Sequence, residues 1–263
     1  MIKYTLLSVV LFSIILCGTC FSQERTDFKK YFDEYNVKGS FLLYDMKEDK
    51  NYYYDSSRCN TRFTPASTFK IPNSIIGLET GVIPDENFVI KWDGIKRNFK
   101  EWNRDLDMKT AIEVSAVPYY QELARRVGEK KMEEMVRLLG YGNMDISGGI
   151  DKFWLDGSLR ISQFEQVAFL KKLYNNELPV SARSMEITKK IIPAEDTMGL
   201  KFKGKTGWGE QDNKTIGWWV GWVQKDDDVY FFAINIESDN PDDRFASARK
   251  TITKNIVLEF LSK

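Results

Sequence analysis

The chain is 263 residues long, with 38 basic and 38 acidic side chains, 43% hydrophobic residues and no histidine. Length and apolar share support one large domain with a sizeable core, and a net charge of zero without a basic block excludes nucleic acid as an expected partner. The missing histidine excludes a Ser-His-Asp or Cys-His enzyme and any His-ligated metal site, so a hydrolase built on this chain must take its base from lysine, a carboxylate or a modified side chain.

In chain order, Lys3 precedes an apolar run from Tyr4 to Leu16, and small and polar residues follow from Gly18 to Gln23. This is the layout of a signal peptide. An uncleaved anchor is the alternative, but the run falls short of the roughly 20 residues that a membrane span needs. Cleavage after Ser22 is therefore expected, which makes residues 1–22 the leader. It sends residues 23–263, without a membrane span, to the periplasm or cell envelope. Leu16 and Thr19 are poor residues to precede a lipidated cysteine, which weighs against a lipoprotein built on Cys17 or Cys20. The cut leaves only Cys59, so no internal disulfide forms and the fold stands on its core. A buried thiol is the preferred reading of Cys59.

Residues Asp27–Tyr35 predict a short helix. Gly39–Asp45 and Asn51–Tyr54 predict two strands joined by the polar turn Met46–Lys50. From Thr64 to about Ile192 helical spacing takes over, as in Met132, Met135, Val136 and Leu139, with Gly81, Gly128 and Gly140 as breaks and Ser162 as a cap. Strands return near Leu200. The runs Trp218–Val223 and Val229–Ile236 flank the turn Lys225–Asp228 and predict a hairpin. Phe245, Ala248, Ile252, Ile256 and Phe260 then recur at helical spacing. The expected fold is α/β of the α+β type. A central antiparallel sheet is formed by both chain ends, approximately 23–62 and 195–263, and flanked by terminal helices. An all-helical subdomain, approximately 63–194, is inserted, and a small ligand would bind between the two.

Four short motifs could carry chemistry. Thr64-Pro65 before Ala66-Ser67-Thr68-Phe69-Lys70 reads as a helix start, which puts Ser67 and Lys70 about one turn apart on one face. A serine hydroxyl needs such a neighbouring base to become a nucleophile, and a helix N-terminus offers N–H groups to an oxyanion. Pro72 removes a hydrogen bond in the next turn and predicts a local distortion. Taken alone, S-x-x-K also fits any surface helix start. Lys205-Thr206-Gly207, near the end of a predicted strand, offers a fixed charge, a hydroxyl and close backbone approach, with the Trp208 N–H next to it; a basic edge strand turning at glycine would look the same. Ser115-Ala116-Val117 lies between two predicted helices, where Ser115 is either a proton relay to Lys205 or a capping serine. Tyr141-Gly142-Asn143 follows the break at Gly140 and would also serve as a plain turn.

In this order and at these separations, S-T-F-K, S-A-V, Y-G-N and K-T-G resemble the class D serine β-lactamases. The likeness runs through Phe63–Gly81 and Phe153-Trp154-Leu155 and covers essentially the whole mature chain. Y-G-N and Trp154 point to class D rather than the other serine classes. The resemblance implies the penicillin-recognising fold and an acyl-enzyme on Ser67. It implies Lys70 N-carboxylated by carbon dioxide as the general base, Trp154 donating its indole N–H to the carbamate, and Ser115 shuttling protons. Lys205, Thr206 and Arg244 would hold the substrate carboxylate, with Gly207 allowing close approach. The N–H groups of Ser67 and Trp208 would form the oxyanion hole, and Val117 and Leu155 an apolar wall. No metal or resident cofactor is implied beyond the carbon dioxide taken up by Lys70. Burial would supply the neutral amine that carbon dioxide requires. Arg244 and Trp154 have simpler alternatives, a surface ion pair with Asp242 or Asp243 and core packing. A transpeptidase or carboxypeptidase, or a non-enzymatic β-lactam sensor domain, shares several of these motifs. The expected partners are small-molecule β-lactams, and the protein is expected as a monomer or homodimer.

Overall fold

The computed structural model describes residues 22–155 and 157–262. Of the predicted leader, only Ser22 falls within that range. The chain begins with β1 (Ser22–Glu24) and α1 (Lys29–Glu34), then forms a hairpin of β2 (Lys38–Asp45) and β3 (Lys50–Tyr54). The middle holds α2 (Ser56–Asn60), α3 (Lys70–Glu79), β4 (Val89–Ile90), β5 (Leu106–Asp107), α4 (Met108–Glu113), α5 (Val117–Val127), α6 (Glu129–Leu139), α7 (Gln163–Tyr174) and α8 (Ala182–Ile191). Three long strands follow the short β6 (Ala194–Thr197): β7 (Leu200–Gln211), β8 (Lys214–Lys225) and β9 (Asp228–Ser238); the chain then enters α9 (Phe245–Leu261).

Both chain ends share one sheet, in the order β1-β3-β2-β9-β8-β7-β6. Neighbours are antiparallel except β1 and β3, which run parallel. The middle is helical apart from the β4–β5 pair. The sheet is covered on both faces, and the side-chain period of two sorts its residues between them. Val229, Phe231 and Ala233 of β9 and Trp218, Val220 and Trp222 of β8 join the core under the middle helices. Phe232, Ile234 and Ile236 of β9 and Trp219 and Val223 of β8 pack with Phe28, Phe32 and the α9 stripe Phe245, Ala248, Ile252 and Ile256. Sequence runs apolar on every residue are therefore strands buried on both sides.

The middle helices start and stop where the side chains require it. Ser162 caps α7: its hydroxyl accepts from Glu165 N at 3.2 Å while Glu165 Oε2 accepts from Ser162 N at 2.9 Å. Gly140 ends α6 in the left-handed conformation. Helix α3 is buried on all sides from Lys70 to Leu78, as expected for a helix at the centre of a core. Its approach differs from a regular capped start. Thr64 makes no cap; residues Ala66–Phe69 form a 3-10 turn, and α3 proper begins at Lys70 with Pro72 as its third residue. There the missing proline N–H falls among the helix's unpaired donors, so the distortion sits before the helix rather than within it.

Candidate active site

The 3-10 turn lies against the middle of β7, and Gly207 makes this approach fit. A Cβ there would sit 3.0 Å from Pro65 O and 3.2 Å from Thr68 Cγ2. Lys205-Thr206-Gly207 is thus in mid-strand rather than at a strand end. The turn is held from the other side by Trp218, whose buried indole N–H donates to Thr64 O at 2.8 Å. Ala66, just before Ser67, has φ of 47°, and Ser115 has φ of 55°. Each left-handed non-glycine residue costs about 1–2 kcal/mol, and such strain concentrates at functional sites.

The Ser67 and Ser115 hydroxyls lie in one cleft. Ser67, Ser115, Val117, Thr206, Gly207 and Trp208 line a cavity of about 230 Å³, joined by Phe99, Trp102, Val114 and Arg249. At its floor, fully buried Lys70 donates from Nζ to Ser67 Oγ at 2.8 Å. Burial, aided by the Lys205 charge, holds the Lys70 amine well below the usual lysine range. Lys205 is buried too, and burial, then Arg249 and Lys250, lowers it to about 7. Its Nζ reaches Thr206 O at 3.2 Å. The Ser115 hydroxyl makes no hydrogen bond to another described residue. Trp154 stacks on Phe69 at 5.5 Å between ring centres, and its buried Nε1–H has no acceptor. An unpaired buried donor costs about 1–3 kcal/mol.

The penicillin-binding protein transpeptidase domain family matches residues 31–258. The chain is 45% identical to β-lactamase OXA-48 of Klebsiella pneumoniae over 89% of this chain and 88% of that protein. It is 46% identical to β-lactamase OXA-5 of Pseudomonas aeruginosa, at the same coverage of both. Among solved structures, the class D β-lactamase of Sebaldella termitidis superposes with a TM-score of 0.87 at 37% identity, covering 92% of this chain and 98% of that one. The class D β-lactamase FUS-1 of Fusobacterium nucleatum superposes at 0.85 and 39% identity, covering 90% and 98%. The chain belongs to the class D β-lactamases.

In this class D β-lactamase the structure does not bring every expected residue to the cleft. Arg244, the expected carboxylate anchor, is exposed: it pairs with Asp242 at 2.9 Å and lies over the Tyr35 ring. Its alternative, the surface ion pair, is what the structure contains. The arginine in the cleft is Arg249, whose Nη1 donates to Gly207 O. Burial lowers Arg249 to about 10, and its guanidinium lies 5.5 Å from the centre of the Trp208 ring. Trp208 in turn meets Phe245 edge-on at 5.1 Å. The signal for Arg249 was its place among Phe245, Ala248 and Ile252, an arginine beside the buried stripe of α9. Leu155 is half-buried, its carbonyl accepting from Thr64 Oγ1 at 3.4 Å, and does not line the cleft. Phe99 and Trp102 do line it, tilted against each other with ring centres 4.5 Å apart and the Trp102 indole fixed by Val114 O at 3.0 Å; no periodicity marked them in the sequence.

Tyr-Gly-Asn of this class D β-lactamase lies one layer behind the cleft. Tyr141 packs edge-on to Phe69 at 5.6 Å. Gly142 has φ of 59°, and a Cβ there would fall 2.1 Å from Arg160 O. Asn143 donates to Ser158 O at 2.8 Å and accepts from Arg160 N at 2.9 Å. The motif thereby fixes both ends of the loop that carries Trp154. Cys59 is buried, its thiol pushed up to about 12 by desolvation, which leaves it inert. Among the described residues no three Asp, Glu or Cys side chains gather as a metal site, and no helix is long and apolar enough to cross a membrane.

Proposed function

We propose that this class D β-lactamase hydrolyses β-lactams through an acyl-enzyme on Ser67, with Lys70, carboxylated on Nζ by carbon dioxide, as the general base. The observation that carries the reading is the dry Lys70 Nζ, 2.8 Å from Ser67 Oγ; beside it in sequence Phe69 carries the stacked Trp154 ring, whose buried N–H has no acceptor. Carboxylation would give Lys70 a carboxylate-like oxygen base, and Trp154 is the residue to hold it. The cleft supports the rest of the sequence. The substrate carboxylate binds to Lys205, Thr206 and Arg249, and the N–H groups of Ser67 and Trp208 polarise the lactam carbonyl. As Ser67 Oγ attacks, its proton leaves toward Lys70. The ring C–N bond breaks, and the nitrogen takes a proton through Ser115 from the Lys205 side. Water then attacks the ester from the Lys70 side and frees Ser67. Val117, Phe99 and Trp102 form apolar walls that keep other water out.

With residues 1–22 as a leader, the enzyme would act in the periplasm or cell envelope and confer resistance there. Steady-state turnover of a penicillin tests the activity: a transpeptidase or sensor traps about one equivalent, whereas this enzyme destroys many. Ser67→Ala should abolish covalent labelling. An adduct elsewhere on that variant would overturn the assignment. Labelled bicarbonate with carbon NMR tests the base: the wild type should give a carbamate signal that Lys70→Ala lacks.

A further inference from the structure

The Lys70 pocket has a second wall that the mechanism above does not use. Tyr120 of α5 is fully buried, and Lys70 Nζ lies 5.4 Å from the centre of its ring. Its hydroxyl is 2.8 Å from Ser74 Oγ. The direction of that hydrogen bond follows from counting protons. Ser74 has one hydroxyl hydrogen and donates it to Lys70 O at 2.8 Å. Tyr120 must therefore donate to Ser74. The result is a closed chain: Tyr120 hydroxyl to Ser74 hydroxyl to the carbonyl of Lys70, with the ring turned back over the Lys70 amine. A buried network with every member satisfied is rigid.

We propose that Tyr120 is a positioning residue for Lys70: tethered through Ser74 to the Lys70 carbonyl, its ring seals the inner side of the pocket and keeps Nζ dry beside Ser67. Phenylalanine would supply a similar apolar surface but no tether. The hydroxyl pair is buried and faces no substrate, so its effect passes through Lys70. The other groups acting on the amine are consistent with this. Burial is the main cause of its lowered pKa, and Lys205 from β7 is the charged group that adds to it; Ser67 from the 3-10 turn is its hydrogen-bond partner. Desolvation is the contribution that a loosened ring would remove.

The inference rests on Lys70 as the base and is tested so that the two can fail separately. Below its pKa, each unit of rise leaves tenfold less neutral amine. Tyr120→Phe and Ser74→Ala should each move the acid limb of kcat/KM upward by about half a unit or more. Each should raise the bicarbonate concentration for half-maximal activity about threefold or more by the same arithmetic. Tyr120→Leu removes the wall and should do more. The conservative Ser74→Thr keeps a hydroxyl and should restore the wild-type profile. Melting temperature is followed in parallel. If Tyr120→Phe and Ser74→Ala lower only the melting temperature, with acid limb and bicarbonate dependence unchanged, the tether serves packing alone and the proposal is wrong. A wild type without a carbamate signal overturns the carboxylation of Lys70, not this proposal, because a plain amine base must also be neutral and the acid limb still reports it.

Discussion

Replacing Trp154 by Phe removes the buried indole N–H together with part of the ring. The ring that stacks on Phe69 is largely kept; the buried N–H without a partner is deleted. Without carbon dioxide that donor costs about 1–3 kcal/mol, so the variant should lose little stability in degassed buffer despite its smaller ring. With carbon dioxide the wild type gains a hydrogen bond to a charged group, about 1.5–3 kcal/mol. At about 1.4 kcal/mol per tenfold, the variant should need about 10- to 150-fold more bicarbonate for half-maximal activity. The assay is initial rate of penicillin hydrolysis against bicarbonate, with a calorimetric melt at each concentration. Bicarbonate should raise the wild-type melting temperature by linkage and that of the variant much less. Equal half-maximal concentrations for the two proteins would refute the assignment of the indole to a group on Lys70.

Arg249→Ala should lower kcat/KM for a penicillin about 10- to 150-fold, the loss of a charge-assisted contact of about 1.5–3 kcal/mol. Arg244→Ala removes an exposed ion pair worth about 0–1 kcal/mol and should leave kcat/KM within about twofold, as steady-state kinetics will show. Lys205 releases its proton near 7 in the folded protein against an ordinary 10.5. Between these values the unfolded chain binds the extra proton, so this residue's contribution to stability rises with pH there and is lost as pH falls through 7. Melts from pH 6 to 10 should show this rise, and Lys205→Met should reduce its slope, the rest coming from Lys70, which burial also holds low. Asn143→Ala deletes two hydrogen bonds that fix the Trp154 loop. It should cost about 1–3 kcal/mol and lower the melting temperature by several degrees. Its activity should recover partly on added bicarbonate; no recovery would separate Asn143 from the Trp154 pocket.

The fold was legible where local chemistry and global packing agree. Polar turns between aromatic runs predicted the β2–β3 and β8–β9 hairpins, and the α9 stripe predicted its buried face. The 3-10 turn at Ser67 was not legible, since Pro72 signals a disturbed helix start without saying on which side the disturbance lies. The middle of β7 was hidden because Gly207 and Gly209 show no hydropathy alternation; they are small so that the Ser67 turn can approach. Arg244 was expected from the resemblance and its spacing from K-T-G, and spacing alone does not tell it from Arg249. Along a helix, five residues amount to about 7.5 Å and about 140° of rotation, enough to exchange a surface position for a cleft.

The pairing of β2 with β9 has a consequence for how the chain is born. Phe41 lies opposite Ile234, about 190 residues apart. Loop closure of that length is entropically costly, and contacts so distant form slowly. No nascent chain that stops short of β9 can close the centre of its sheet, and β2, paired with β3 on one edge, keeps its other edge open until β9 is made. A protein built this way keeps the centre of its sheet open by its own topology for most of its synthesis.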